Sequence, residues 1–214
     1  MQTTLLSIAT GESKEFTISD KTFQSAYKKD DFYNSIKVNF LGLENDFQVD
    51  KRFHGGVNKA IHIGSSKHFQ IFKELHNKEL DKLSIGCNIF INDYDESDIC
   101  VGDIYSLGEI KIEVCQPRQP CWKIGALFGK EVSRYIVKNQ ATGWYVRVLN
   151  EGSIHINDEL KLEQRVSDLT IKELSIYLHT PPENHTIIEK ILNTNPLAQS
   201  YKKDFLKVLE ANNC

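Results

Sequence analysis

Ile104-Tyr105-Ser106-Leu107-Gly108-Glu109-Ile110-Lys111-Ile112-Glu113-Val114-Cys115 holds two short apolar runs split by a Gly-Glu pair. β-branched and aromatic residues in runs of four to six, bounded by turn formers, read as strands. A second turn signal, Gly102-Asp103, stands just before the first run. The same rhythm repeats upstream in residues 5–9, 15–18, 22–27 and 36–40, and again in 60–63 and 89–91. Turn formers such as Gly11, Asp20 and the Asp30-Asp31 pair separate the earlier runs. Residues 144–149, after Gly143, read as one more strand. Many short strands predict a mainly β (α+β) chain with a barrel-like core.

Two helices interrupt this pattern. Ser65 or Ser66 can cap a helix that carries Phe69, Phe72, Leu75 and Leu80. Another is predicted over residues 130–139, with Val132, Tyr135 and Ile136 on one side. Near Arg165 the period changes, and the rest reads as three short helices. Thr170 with Glu173 forms a capping box, Pro181-Pro182 stops the first helix, and Ile187, Ile188, Ile191 and Leu192 mark the second. Tyr201, Phe205, Val208 and Leu209 mark the third. The expected division is a β domain over residues 1–164 and a small three-helix bundle over 165–214, too small to hold much core alone.

Composition narrows the function. The chain has 214 residues, 40% hydrophobic and 26% charged, with a formal net charge of -3. Such a balance gives no general drive toward nucleic acid or anionic membrane, so anion binding has to come from a local basic patch. No apolar run approaches the length of a membrane span, and the first ten residues lack a signal-peptide pattern, so a cytoplasmic location is expected. The five cysteines, Cys87, Cys100, Cys115, Cys121 and Cys214, are odd in number and widely spaced. That argues for reduced thiols rather than a disulfide framework.

Four stretches can carry chemistry. In Gln116-Pro117-Arg118-Gln119-Pro120-Cys121-Trp122-Lys123 two prolines stiffen a loop that sets a thiol between two cations. Cations favour the thiolate, which is a nucleophile and a soft-metal ligand, and a guanidinium can grip a phosphate. A buried cysteine in a Pro-rich turn is the alternative. His54-Gly55-Gly56, flanked by Lys51, Arg52 and Lys59, reads either as an anion cradle or as an ordinary Gly-Gly turn. Gly86-Cys87-Asn88 reads as a pocket wall or a plain turn. On the strand 144–149, Tyr145 and Arg147 share a face, and the arginine is either paired with an anion or solvated. His62, His68 and His76 share no ligand spacing and read as surface or core residues.

Taken in order, these segments resemble the MOSC-domain family, and within it the branch of the bacterial 6-hydroxylaminopurine-resistance protein. The resemblance is carried by Leu41-Gly42-Leu43 with Asp46, by Asp50 to Gly56 and Asn58-Lys59-Ala60, by Gly86 and Asn88, by Val101-Gly102-Asp103, by Gln116 to Lys123, and by Gly143 to Leu149 with the Gly152 turn. The tail from Ser200 to Leu209 resembles the three-helix extension of that branch.

The resemblance implies a barrel-like fold that binds a pyranopterin molybdenum cofactor, with Cys121 as the metal ligand. It implies reduction of N-hydroxylated bases or related small compounds to amines, with electrons from an external flavoprotein. Catalytic positions would be Cys121, His54, Cys87 and Asn88. Cofactor-binding positions would be Lys28, Arg52, His54, Gly55, Gly56, Arg118, Lys123, Tyr145 and Arg147. One departure stands out: the branch has Gly-Glu-Asn where this chain has Gly86-Cys87-Asn88, which leads to the expectation that Cys87 lies near Cys121. Two alternatives remain. Cys121 carries a persulfide in sulfur transfer, or the chain is a non-catalytic cofactor-binding module. Monomer and dimer are both compatible with the sequence.

Overall fold

The computed structural model describes residues 1–18, 20–50 and 54–212. Seven strands close into a barrel. They are β1 (Gln2–Thr10), β7 (Ile61–Ser65), β8 (Ile89–Ile91), β9 (Ile104–Leu107), β10 (Ile110–Pro117), β11 (Trp144–Asn150) and β13 (Glu159–Gln164). Their order runs β13-β9-β10-β11-β7-β8-β1, and β1 returns to β13 through Gln2↔Lys161 and Thr3↔Leu160. All pairs are antiparallel except β7 with β8. A parallel pair needs a long crossover, and the connection holds α1 (Lys67–His76).

Strand alternation fills the barrel. On β11, Trp144, Val146 and Val148 join Ile61, Ile63, Ile112 and Val114 in the main core, leaving Tyr145 and Arg147 on the outer face. β4 (Asp31–Tyr33) extends the sheet beyond β1, while β5 (Ser35–Asn39), β6 (Gly42–Leu43) and β12 (Gly152–His155) form a small separate sheet. β2 (Lys14–Ile18) and β3 (Lys21–Ser25) make a hairpin. β4 begins at Asp31, within the pair expected to be a turn, and β12, β13 and α2 (Trp122–Phe128) were not expected.

Three helices pack against the outside of the barrel around a second core. Phe72 of α1, Ile124 of α2, and Tyr135 and Ile136 of α3 (Lys130–Asn139) meet Cys87 and Phe90 there. α1 stops at His76, where Asn77 turns left-handed, so Leu80 enters the same core from beyond the helix. Its N-terminal cap falls at Ser66, but it is the Ser65 hydroxyl that accepts the Lys67 amide, at 3.2 Å.

The C-terminal helices are α4 (Ile171–Tyr177), α5 (His185–Asn193) and α6 (Gln199–Asn212). The capping box forms: Thr170 Oγ1 accepts the Glu173 amide at 3.1 Å, and Glu173 Oε2 accepts the Thr170 amide at 2.9 Å. Leu174, Leu178, Ile191, Tyr201 and Phe205 share a third core with Val101. The Ala198 amide donates to the Cys115 carbonyl at 3.1 Å, fixing the start of α6 against β10. Among the described residues no helix is long and apolar enough to cross a membrane.

Candidate functional site: two clefts that meet at His54

β10 pairs with β11 as far as Pro117↔Trp144. Proline has no amide to continue the ladder. The next amide, Arg118 N–H, turns to the Gly143 carbonyl at 3.1 Å. Pro120 follows, and Cys121 sits in extended conformation at the head of α2. That short helix is anchored by buried Ile124, and by Trp122, whose ring stands edge-on to Phe23 at 4.7 Å. Cys121 is left partly exposed.

Two clefts open beside this loop. The first is lined by Tyr27, Lys29, Asp46, His62, Asn88 and Arg118, among others. The second is lined by Gln116, Gln119, Cys121, Trp122, Ser200 and Asp204. Asp50, His54, Lys59, Lys123 and Tyr145 line both and form the seam. The loop therefore brings Arg118 to one side and Cys121 to the other.

The first cleft is built for an anion. Arg118 is 4% exposed, and its Nη1 has no hydrogen-bond partner among the described residues. A buried guanidinium nitrogen without an acceptor is costly. Lys29 in the same cleft is already paired with Asp46, at 2.5 Å. Burial, with the positive charges of Arg118, Lys59 and Lys123, pushes the His54 pKa down to about 4, so its ring is neutral at pH 7. His62 is pushed down to about 3, first by burial and then by Arg118. Its ring spans two carbonyls, Nδ1 to Gly86 at 3.1 Å and Nε2 to Thr142 at 2.8 Å.

Several expected site residues stand elsewhere. Arg147 lines neither cleft. Its guanidinium is spent on Glu113 Oε2 at 3.0 Å, the Pro196 carbonyl at 2.7 Å and Cys115 Sγ at 3.0 Å, so it ties the barrel to the segment before α6. Lys28 sits between the Phe16 and Phe128 rings, at 5.7 and 5.5 Å, and its neighbour Lys29 reaches the cleft instead. Gly55 and Gly56 line neither cleft. Gly56 has φ +91°, and a Cβ there would meet nothing within 4 Å, so the glycine serves the turn's conformation rather than a close approach. Lys51 and Arg52 lie outside the described residues.

Asn88 does line the first cleft, yet its side chain is a brace: Oδ1 accepts the His62 amide at 3.1 Å and Nδ2 donates to the Ala9 carbonyl at 3.2 Å. Cys87 lines neither cleft. It lies behind His62, Sγ 3.7 Å from Nε2, and faces a separate apolar cleft with Phe69 and Phe90. Cys87 and Cys121 line different clefts, so the expected meeting of the two thiols in one cleft is not found. His62, read from sequence as a surface or core residue, lines the first cleft, and Tyr27, Lys29, Ser200 and Asp204, which carry no site signal in the sequence, line the clefts too. Only the tertiary fold brings them in.

The MOSC-domain family signature matches residues 50–161. YflK of Bacillus subtilis (strain 168) is 28% identical over 205 residues, covering 95% of this chain and 93% of that protein. A Gibberella moniliformis (strain M3125 / FGSC 7600) protein named "Reductase" is 26% identical over 166 residues, which is 75% of this chain but 29% of the relative. The crystal structure of YiiM from Geobacillus stearothermophilus superposes with TM-score 0.78 at 28% identity, covering 97% of this chain and 99% of that one.

Proposed function

Because this chain belongs to the MOSC-domain family, we propose that it is a molybdenum-cofactor-dependent reductase of N-hydroxylated compounds. The observation that carries this reading is buried Arg118, its Nη1 unpartnered in a cleft that adjoins the Cys121 thiol through a shared seam. A pterin cofactor brings a phosphate, which needs charge-assisted donors, and a metal, which needs a soft ligand. Arg118 and Lys123 supply the first, and Cys121 the second. Among the described residues no three His, Cys, Asp or Glu side chains converge on a point. A single protein thiolate suits a metal that arrives already chelated by its cofactor.

When bound, the cofactor supplies a metal centre able to take an oxygen atom from the substrate. The overall change is R–NHOH + 2e⁻ + 2H⁺ → R–NH₂ + H₂O. Neutral His54 on the seam presents one ring N–H and one bare nitrogen, the pair needed to pass a proton to the departing oxygen. Tyr145, buried on the same seam, lines both clefts with His54. The electrons come from a separate flavoprotein. A longer Gibberella relative is named "Reductase", in keeping with reductive chemistry.

The test is elemental analysis after expression in a host with an intact molybdenum cofactor pathway. Molybdenum stoichiometric with the chain, lost in Cys121→Ser, is the expected result. A labile sulfane sulfur on Cys121 without molybdenum would replace this reading by sulfur transfer. Bound cofactor without turnover of any N-hydroxylated compound would leave a non-catalytic cofactor-binding module.

A further inference from the structure

Asp204 comes from α6, far along the chain from every segment that carries the chemistry above, yet it lines the Cys121 cleft. Its position is fixed to the Cys121 loop. Ser200 Oγ donates to Gln116 Oε1 at 2.8 Å, and Gln119 Nε2 donates to Asp204 Oδ2 at 3.4 Å. The other carboxylate oxygen takes Lys207 Nζ at 3.0 Å, where the lysine side chain is 74% exposed and the aspartate 43%. An exposed pair of this kind is weak and easily left. A carboxylate has about four lone-pair positions, so Asp204 keeps acceptor capacity for a ligand.

The charges of the two clefts differ. Arg118 lines only the first, and Asp204 only the second. Asp204 also raises the Lys59 pKa against the lowering effect of burial, so its field reaches the seam. With Asp50, Lys59 and Lys123 common to both, the second cleft balances two carboxylates against two ammonium groups, and the Asp204 carboxylate favours a ligand that presents an N–H donor to it.

We propose that Asp204 is the substrate-selecting residue of the Cys121 cleft, its carboxylate accepting the amino or ring N–H that neighbours the N–OH group of an N-hydroxylated amidine or base. This rests on the functional reading above. The substrate then spans the cleft, its N–OH toward the Cys121 end and its N–H edge on α6. A hydroxylamine without the second donor lacks that hold.

The test compares benzamidoxime, which carries an amino group beside its N–OH, with N-phenylhydroxylamine, which does not. Holoprotein is driven by chemically reduced methyl viologen. Asp204→Asn and Asp204→Ala are expected to lose about tenfold or more in kcat/KM on benzamidoxime, through KM rather than kcat, and far less on N-phenylhydroxylamine. Asp204→Glu recovers part of the loss. Independently of turnover, benzamidine should bind the unloaded wild-type protein in a calorimetric titration and bind Asp204→Asn about tenfold more weakly. Equal losses on both substrates, or no loss on either, overturn the proposal. If wild-type protein reduces neither compound, the functional reading fails and benzamidine binding decides alone: unchanged affinity in Asp204→Asn overturns the role of Asp204, and weakened affinity sustains it.

Discussion

Glu96 Oε1 accepts the Gly143 amide at 2.7 Å while Oε2 meets His68 Nε2 at 2.7 Å, all three groups being buried. The carbonyl of Gly143 accepts the Arg118 amide, and the carbonyl of Thr142 faces His62 Nε2. One carboxylate thus sets the short segment from which two residues of the first cleft hang. Removing one member of a buried pair leaves the others uncompensated. Glu96→Ala is expected to cost about 3–5 kcal/mol in urea denaturation of the unloaded protein. Glu96→Gln keeps an acceptor for Gly143 and should lose less. A Glu96→Ala variant within about 1 kcal/mol of wild type would refute the role given to this carboxylate.

Arg118 and Arg147 are both largely buried arginines near the Cys121 loop, and their bonding predicts opposite phenotypes. Arg147 is saturated by Glu113, Pro196 and Cys115. Arg147→Ala should therefore lower stability by about 2–4 kcal/mol and leave cofactor content per folded chain near wild type. Arg118 lines the anion cleft, and its buried Nη1 has no partner among the described residues. Arg118→Ala should weaken cofactor retention by about 1.5–3 kcal/mol for the lost charge-assisted contact, read as pterin released on gel filtration. If Arg147→Ala sheds cofactor while Arg118→Ala holds it, the assignment is reversed.

Acidification gives a third expectation. Folding holds His54 near a pKa of 4 and His62 near 3, both below the ordinary value of 6.5. Between those values and 6.5 the unfolded chain binds protons that the folded chain refuses. Stability of the unloaded protein therefore falls as pH drops through 6.5, by up to about 1.4 kcal/mol per pH unit per histidine, and this contribution levels off below pH 3. His54→Gln should flatten the slope by its share. In NMR the two ring signals should stay fixed between about pH 7.5 and 5.5. Movement of either signal in that range would show that its ring is not kept neutral.

Much of this arrangement was legible in the sequence, for identifiable reasons. The β9–β10 runs and the Thr170–Glu173 box are local patterns, and local chemistry decides them. The Cys121 loop was legible because two prolines stop a strand. Barrel closure was not: β13 reads Glu-Leu-Lys-Leu-Glu-Gln, with only Leu160 and Leu162 apolar, and its pairing with β1 spans most of the chain. Arg147 was misread because its partner Glu113 lies opposite on β10, which only the strand register reveals. α2 was hidden by the prolines that precede it. Ser200 and Asp204 carry no local signal, since they reach the cleft only through the docking of α6.

Cys87 yields the last prediction. The branch carries a carboxylate at this position, which made Cys87 an expected neighbour of Cys121. Here Cys87 is 2% exposed, and its sulfur fills the space that a side chain on Gly64 would need. Burial raises its thiol pKa well above the ordinary range, so it is neutral and unreactive at pH 7. Glutamate carries three more heavy atoms than cysteine, and placing its carboxylate among Phe69 and Phe90 carries a desolvation cost. Cys87→Glu should therefore destabilise the unloaded protein by about 3 kcal/mol or more, whereas Cys87→Ala costs about 1–2 kcal/mol. In thiol labelling of the folded protein, Cys121 reacts quickly, as the loss of a fast phase in Cys121→Ser would show, and Cys87 reacts only on unfolding. Equal labelling rates for the two thiols, or a Cys87→Glu variant as stable as wild type, would mean that Cys87 is accessible in the folded protein and has room for a charged side chain.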